Sequence, residues 1–111
     1  MELDIKIDQS DGLCVIALAG EVDVYTAPQL KERLIASIEG GCVNILVDLE
    51  QVGFIDSSGL GVLVGGLRRA KENSGAIRLV CSRENILKIF RITGLDKVFP
   101  IFDTLEHALE F

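Results

Sequence analysis

Leu3, Ile5 and Ile7 alternate with charged residues, which predicts a strand with one face buried. Asp11-Gly12 reads as a turn, and Leu13 to Ala19 is a second apolar run. The two runs predict a hairpin whose loop is longer than the tightest type. Gly20 interrupts the second run, and Glu21 to Tyr25 leads into a helix. Thr26 and Gln29 have the spacing of a capping box, and Pro28 suits a first helical turn. Leu30, Leu34, Ile35 and Ile38 give this helix one apolar stripe, and Gly40-Gly41 ends it.

Val43 to Leu49 is nearly continuous in apolar residues, as a central strand covered on both faces would be. Glu50 to Ile55 reads as a loop. A helix is expected from Leu60 to about Asn73, with Leu60, Leu63, Val64 and Leu67 inward, Arg68, Lys71 and Glu72 outward, and Gly75 closing it. Ile77 to Cys81 predicts another strand. Ser82 is placed to cap a third helix with Ile86, Ile89 and Phe90 inward and Gly94 as its stop. Val98 to Phe102 reads as a short strand broken by Pro100, and Asp103 with Glu106 marks the start of a last helix carrying Leu105, Ala108 and Leu109.

The order β-β-α-β-α-β-α-β-α predicts an α/β fold. Strands alternating with helices imply a mixed sheet of four to five strands flanked by about four helices. No repeat, low-complexity tract or linker divides the chain, and 111 residues suit one domain spanning 1–111.

Composition narrows the functional classes. With 49% hydrophobic residues and only 2 Pro, the chain can bury a core without disulfides or metals. The net charge of −6 argues against direct nucleic-acid binding, which needs clustered Lys and Arg. Met1-Glu2-Leu3-Asp4 is acidic where a signal peptide is basic, and no apolar run is long enough to span a bilayer. A cytoplasmic protein with no membrane partner is expected. Cys14, Cys42 and Cys81 are odd in number, far apart and without a C-x-x-C pair, so they read as buried, reduced thiols.

The candidate chemistry lies in Phe54-Ile55-Asp56-Ser57-Ser58-Gly59-Leu60-Gly61. Ser57 or Ser58 falls at or just before a helix N-terminus, where backbone N–H groups and the helix dipole favour an anion. A hydroxyl there can cap the helix, act as a nucleophile or accept a phosphoryl group. The nucleophile reading is weak: the leading Gly of G-x-S-x-G is missing, and the only histidine, His107, lies far along the chain. Gly59, Gly61, Gly65 and Gly66 fit neither nucleotide-binding glycine pattern and read as sites of close helix packing. Asp4, Asp8, Asp11, Asp23, Asp48 and Asp56 form no metal-ligand spacing, so no metal or cofactor is expected. A phosphoryl group on the serine would add about −1.5 to −2 charges beside Asp56 and Asp23 and would switch a binding surface without unfolding the chain. Residue types alone leave the cap and the acceptor both open.

Three segments resemble the STAS family, specifically the small bacterial anti-sigma factor antagonists. They are Gly20-Glu21-Val22-Asp23-Val24-Tyr25-Thr26-Ala27-Pro28, Phe54-Ile55-Asp56-Ser57-Ser58-Gly59-Leu60-Gly61-Val62 and Leu87-Lys88-Ile89-Phe90-Arg91-Ile92-Thr93-Gly94-Leu95. The resemblance implies the STAS fold and a protein that is ligand and substrate, not an enzyme. Ser57 matches the phosphorylated serine, Ser58 the neighbouring hydroxyl, and Asp23 an acidic loop residue linked to kinase recognition; Asp23, Asp56, Ser57, Ser58 and Gly59 are the implied partner-binding residues. The implied partners are an anti-sigma factor with ATP-dependent serine kinase activity and a metal-dependent serine phosphatase. Binding of the unphosphorylated form would release a sigma factor. The competing expectation is a non-switching STAS adaptor in a signalling assembly or a lipid-transport system.

Overall fold

The alternating run at the start forms β1 (Leu3–Ser10), and the next apolar run forms β2 (Leu13–Val22). They pair antiparallel as a hairpin, but the loop is not longer than the tightest type: Ser10 pairs with Leu13, and only Asp11 and Gly12, both of positive φ, make the turn. The remaining elements are α1 (Ala27–Glu39), β3 (Asn44–Ile55), α2 (Ser57–Glu72), β4 (Ala76–Val80), α3 (Glu84–Thr93), a 3-10 turn at Leu95–Lys97, β5 (Ile101–Phe102) and α4 (Leu105–Glu110). The structure is a computed structural model and describes residues 2–110. Met1 and Phe111, and with them the outer limits of the expected domain, lie outside the described residues.

The sheet runs in sequence order, β1-β2-β3-β4-β5, and every pair after the hairpin is parallel. Each parallel step crosses over in the same direction, and crossovers of one hand place their helices on one face. Side chains of α1, α2 and α3 accordingly share one core with Cys14, Ile16, Leu18, Ile45, Val47, Leu49, Ile77 and Leu79. The opposite face carries a smaller cluster, in which Ala108 of α4 covers Leu46 and Val80. Both faces of β3 are therefore covered at Ile45–Val47, as the continuous apolar run predicts.

Two segments expected to be irregular are strand. β2 does not stop at Gly20, and Glu50 to Ile55 is not a loop: the two extend alongside each other as far as the pair Val22↔Ile55. β3 spends two more residues than β2 over this stretch, with register shifts between Ala17 and Ala19 and between Gly20 and Glu21. Such bulges break the period-2 pattern that a strand reading depends on. Gly20 is needed for another reason: its φ is +124°, and a Cβ would stand 2.3 Å from the Glu2 carbonyl oxygen.

The helix starts also differ from expectation: α2 begins at Ser57 and not at Leu60, and the caps of α1, α3 and α4 are not those expected. The Thr26–Gln29 capping box does not form: the Thr26 side chain serves the preceding loop, and Gln29 Nε2 donates to the Leu3 carbonyl. Ser82 does not cap α3, because its N–H and hydroxyl both donate to the Glu50 carboxylate. At α4 the acceptor is Thr104 Oγ1, which takes the His107 N–H, while the Asp103 carboxylate turns to the His107 ring at 2.6 Å. In each case a tertiary or neighbouring partner outcompetes the cap.

The thiol expectation is overturned for two cysteines. Cys14 and Cys42 are joined as a disulfide, with Cα atoms 6.2 Å apart. The parallel register Cys14↔Ile45 folds the α1–β3 turn over β2 and closes a sequence separation of 28 residues. Cys81 remains a free, buried thiol, and burial pushes its pKa up. Among the described residues no helix is long and apolar enough to cross a membrane.

Candidate functional site

Parallel strands carry their following loops at the same end of the sheet, where sites are commonly built. Here β2 and β3 end side by side, and the Asp56 N–H donates to the Val22 carbonyl at 3.1 Å. The loop 23–26 and the start of α2 are thereby held next to each other.

The cap of α2 is Asp56, not a serine. Its Oδ1 accepts from the N–H groups of Ser58 at 2.9 Å and Gly59 at 3.2 Å. The cap reading of Ser57 is thus ruled out, and two of the N–H groups that would attract an anion are already occupied. Ser57 is the first helical residue and is exposed, and among the described residues its hydroxyl has no partner. A phosphoryl group there would find the Ser58 and Gly59 N–H groups already held by the Asp56 carboxylate. Ser58 is half-buried and lines a groove between α1 and α2. Gly59 is buried: a Cβ would lie 2.5 Å from Val22 Cγ1 and 2.9 Å from Ile55 Cγ1, so its bareness lets the first turn of α2 rest on both strand ends. Gly66 is also packed, its Cβ position 3.2 Å from Leu34 Cδ1, whereas nothing lies within 4 Å of the same position at Gly61 or Gly65. The packing reading therefore holds for two of the four helical glycines and fails for the other two.

Asp23 is placed inward, only 7% exposed. Its Oδ1 accepts from the N–H groups of Tyr25 at 2.9 Å and Thr26 at 3.0 Å, and its own N–H donates to Thr26 Oγ1 at 2.9 Å. The Thr26 hydroxyl donates onward to the Glu21 carbonyl at 2.8 Å. This closed set of bonds is an Asx turn, and its effect is to push Val24 and Tyr25 out of the loop. Tyr25 is 82% exposed, Val24 60%. Phe54, near the end of β3, is a third exposed apolar side chain at this end of the sheet. Sequence reasoning passed over all three. The available signal was an apolar pair, Val24-Tyr25, between two turn-forming residues and outside any helical or strand period.

Ser57 and the lone histidine are not brought together. Ser57 starts a helix packed on the α1–α3 face, whereas α4 packs against β4 and β5 from the other side and its His107 is exposed beside Asp103. A Ser–His pair is absent among the described residues.

Comparison with known proteins agrees with this fold. A family profile described as the STAS domain matches residues 4–108. The chain is 35% identical to the anti-sigma-B factor antagonist of Bacillus subtilis over 110 residues, covering 99% of this chain and all of that protein. The crystal structure of an anti-sigma factor antagonist from Mycobacterium paratuberculosis superposes with a TM-score of 0.90 at 29% identity, covering 98% of this chain and 92% of that one. The Bacillus cell fate determinant SpoIIAA, solved in its phosphorylated form, superposes with a TM-score of 0.76 at 25% identity over 96% and 97% of the two chains.

Proposed function

The chain belongs to the STAS domain family, and on that premise we propose that it is an anti-sigma factor antagonist switched by phosphorylation of Ser57. The unphosphorylated form binds an anti-sigma factor that is also an ATP-dependent serine kinase, and a sigma factor is released. The kinase transfers the γ-phosphoryl group of ATP to Ser57 Oγ, and the complex dissociates. A metal-dependent serine phosphatase restores the binding form. The chain acts as ligand and substrate in the cytoplasm.

One observation carries this reading. Of the residues Asp56 to Gly59, Ser57 alone is exposed with an unengaged hydroxyl, beside the outward-held Val24 and Tyr25. Those side chains offer the apolar contact that a protein interface needs at its centre. A phosphate dianion brought into such a desolvated contact, next to Asp56, costs several kcal/mol unless it is paired. A few kcal/mol corresponds to about a hundredfold or more in affinity. Asp23 acts in this account as the organiser of the loop that presents the contact, and Asp56 as the cap that fixes the direction of Ser57.

The test is intact-mass spectrometry after incubation with ATP and each kinase-type anti-sigma factor of the source genome. One phosphoryl group is expected on wild type and on Ser58→Ala, and none on Ser57→Ala. Absence of transfer by every such factor would move the protein to the non-switching adaptor class.

A further inference from the structure

The groove that Ser58 enters runs between α1 and α2 and encloses about 250 Å³. Its floor is apolar, formed by Leu34, Ile35 and Val62, and Lys31 and Arg69 stand at its sides. Both cations are exposed, and among the described residues neither has an ion-pair partner. In a chain of net charge −6, Lys31 and Arg69 bring two positive charges to the edges of one largely apolar groove.

Gly61 and Gly65 line the same groove. Neither has a positive φ, and a Cβ at either would meet nothing within 4 Å. Glycine in a helix interior costs about 1 kcal/mol relative to alanine. Nothing inside the chain requires that cost at these two positions. Their bareness keeps the groove deep enough for a side chain or a helix from outside.

We infer that this groove is a docking site for a segment of the anti-sigma factor that carries apolar residues with an acidic residue among them. The apolar side chains rest on Leu34, Ile35 and Val62, and the carboxylate sits between Lys31 and Arg69. Charge complementarity selects this occupant: a basic segment would be repelled there, and a neutral one would leave both cations unpaired. The inference rests on the switch proposed above and extends its contact surface from Ser57 along the α1–α2 seam. Ser58 joins the two regions.

The experiment is a titration of the 111-residue chain against the anti-sigma factor that phosphorylates it, or, where none does, against every kinase-type anti-sigma factor of the source genome. The variants are Lys31→Glu with Arg69→Glu, Gly65→Leu, Ser57→Asp, and Lys97→Glu as an exposed charge control on the 3-10 turn. The double charge reversal and Gly65→Leu are expected to bind about tenfold or more weakly, with unchanged circular dichroism, while Lys97→Glu binds as wild type does. The wild-type affinity should fall with added salt more steeply than that of the double reversal. Should Gly65→Leu disturb folding, the exposed charge reversal decides alone. Wild-type affinity in the groove variants together with weak binding by Ser57→Asp would overturn the groove and leave the switch standing. No binding by wild type would overturn both. A self-associated wild type that the double reversal splits into monomers would assign the groove to a second copy of this chain and overturn the proposed occupant.

Discussion

Asp56 and Ser57 are neighbours with opposite tasks, and each task can be measured separately. Asp56 satisfies two N–H groups at the start of α2, so Asp56→Ala should lower stability by about 1 kcal/mol in denaturant unfolding. Ser57 makes no such bond, and Ser57→Ala should leave stability within about 0.5 kcal/mol of wild type. Equal losses in the two variants would mean that the serine shares the cap. His107 offers a second residue-scale check. Its hydrogen bond to Asp103, and then the charge of that carboxylate, raise its pKa above the ordinary histidine value. A raised folded pKa stabilises the protein below the unfolded pKa, and the contribution is lost as pH rises through the folded value. The His107 ring resonances should titrate above the ordinary histidine value of about 6.5, and Asp103→Asn should bring the midpoint back toward it. An unchanged midpoint in Asp103→Asn would contradict the pairing.

At the scale of elements, α2 contains glycines of two kinds. Gly59→Ala forces a Cβ against Val22 and Ile55 and should destabilise by about 1–3 kcal/mol. Gly61→Ala meets open space and should stabilise by up to about 1 kcal/mol. A thermal melt of the two variants in parallel separates them by sign. The Cys14–Cys42 link makes a further demand: alkylation of the unfolded, unreduced chain should modify Cys81 alone, and reduction should lower stability by about 3 kcal/mol. Three modified thiols before reduction would return the cysteines to the free state. The elements themselves were legible where periodicity is strong. The order of strands and helices, the α1 stripe of Leu30, Leu34 and Ile38, and the Gly94 stop all follow from local pattern. What was illegible depended on distant partners. Glu50 to Ile55 is strand because Ala19 to Val22 lies beside it, and Ser82 is drawn from its cap by Glu50, 32 residues away. Cys14 and Cys42 meet only once β2 and β3 are in register.

On the scale of the whole molecule, the sheet order places one functional end and leaves the rest as support. Parallel β2 and β3 deliver the 23–26 loop and the α2 start to a common edge, and the Asx turn at Asp23 turns Val24 and Tyr25 outward. The position of Ser57 could be read from the chain because a strand-to-helix junction has a local signature. The inward placement of Asp23 could not, since an acidic residue in a polar loop gives no sign of which way it faces. The switch should act without refolding, because α2 keeps its Asp56 cap and its Gly59 seat whether or not Ser57 is modified. The most direct test is a calorimetric titration of one anti-sigma factor with the unphosphorylated chain and with the chain phosphorylated at Ser57, alongside circular dichroism of both. The account predicts the same spectrum and an affinity about a hundredfold or more lower for the phosphorylated form. Equal affinities, or a loss of binding that accompanies a loss of helix, would contradict it.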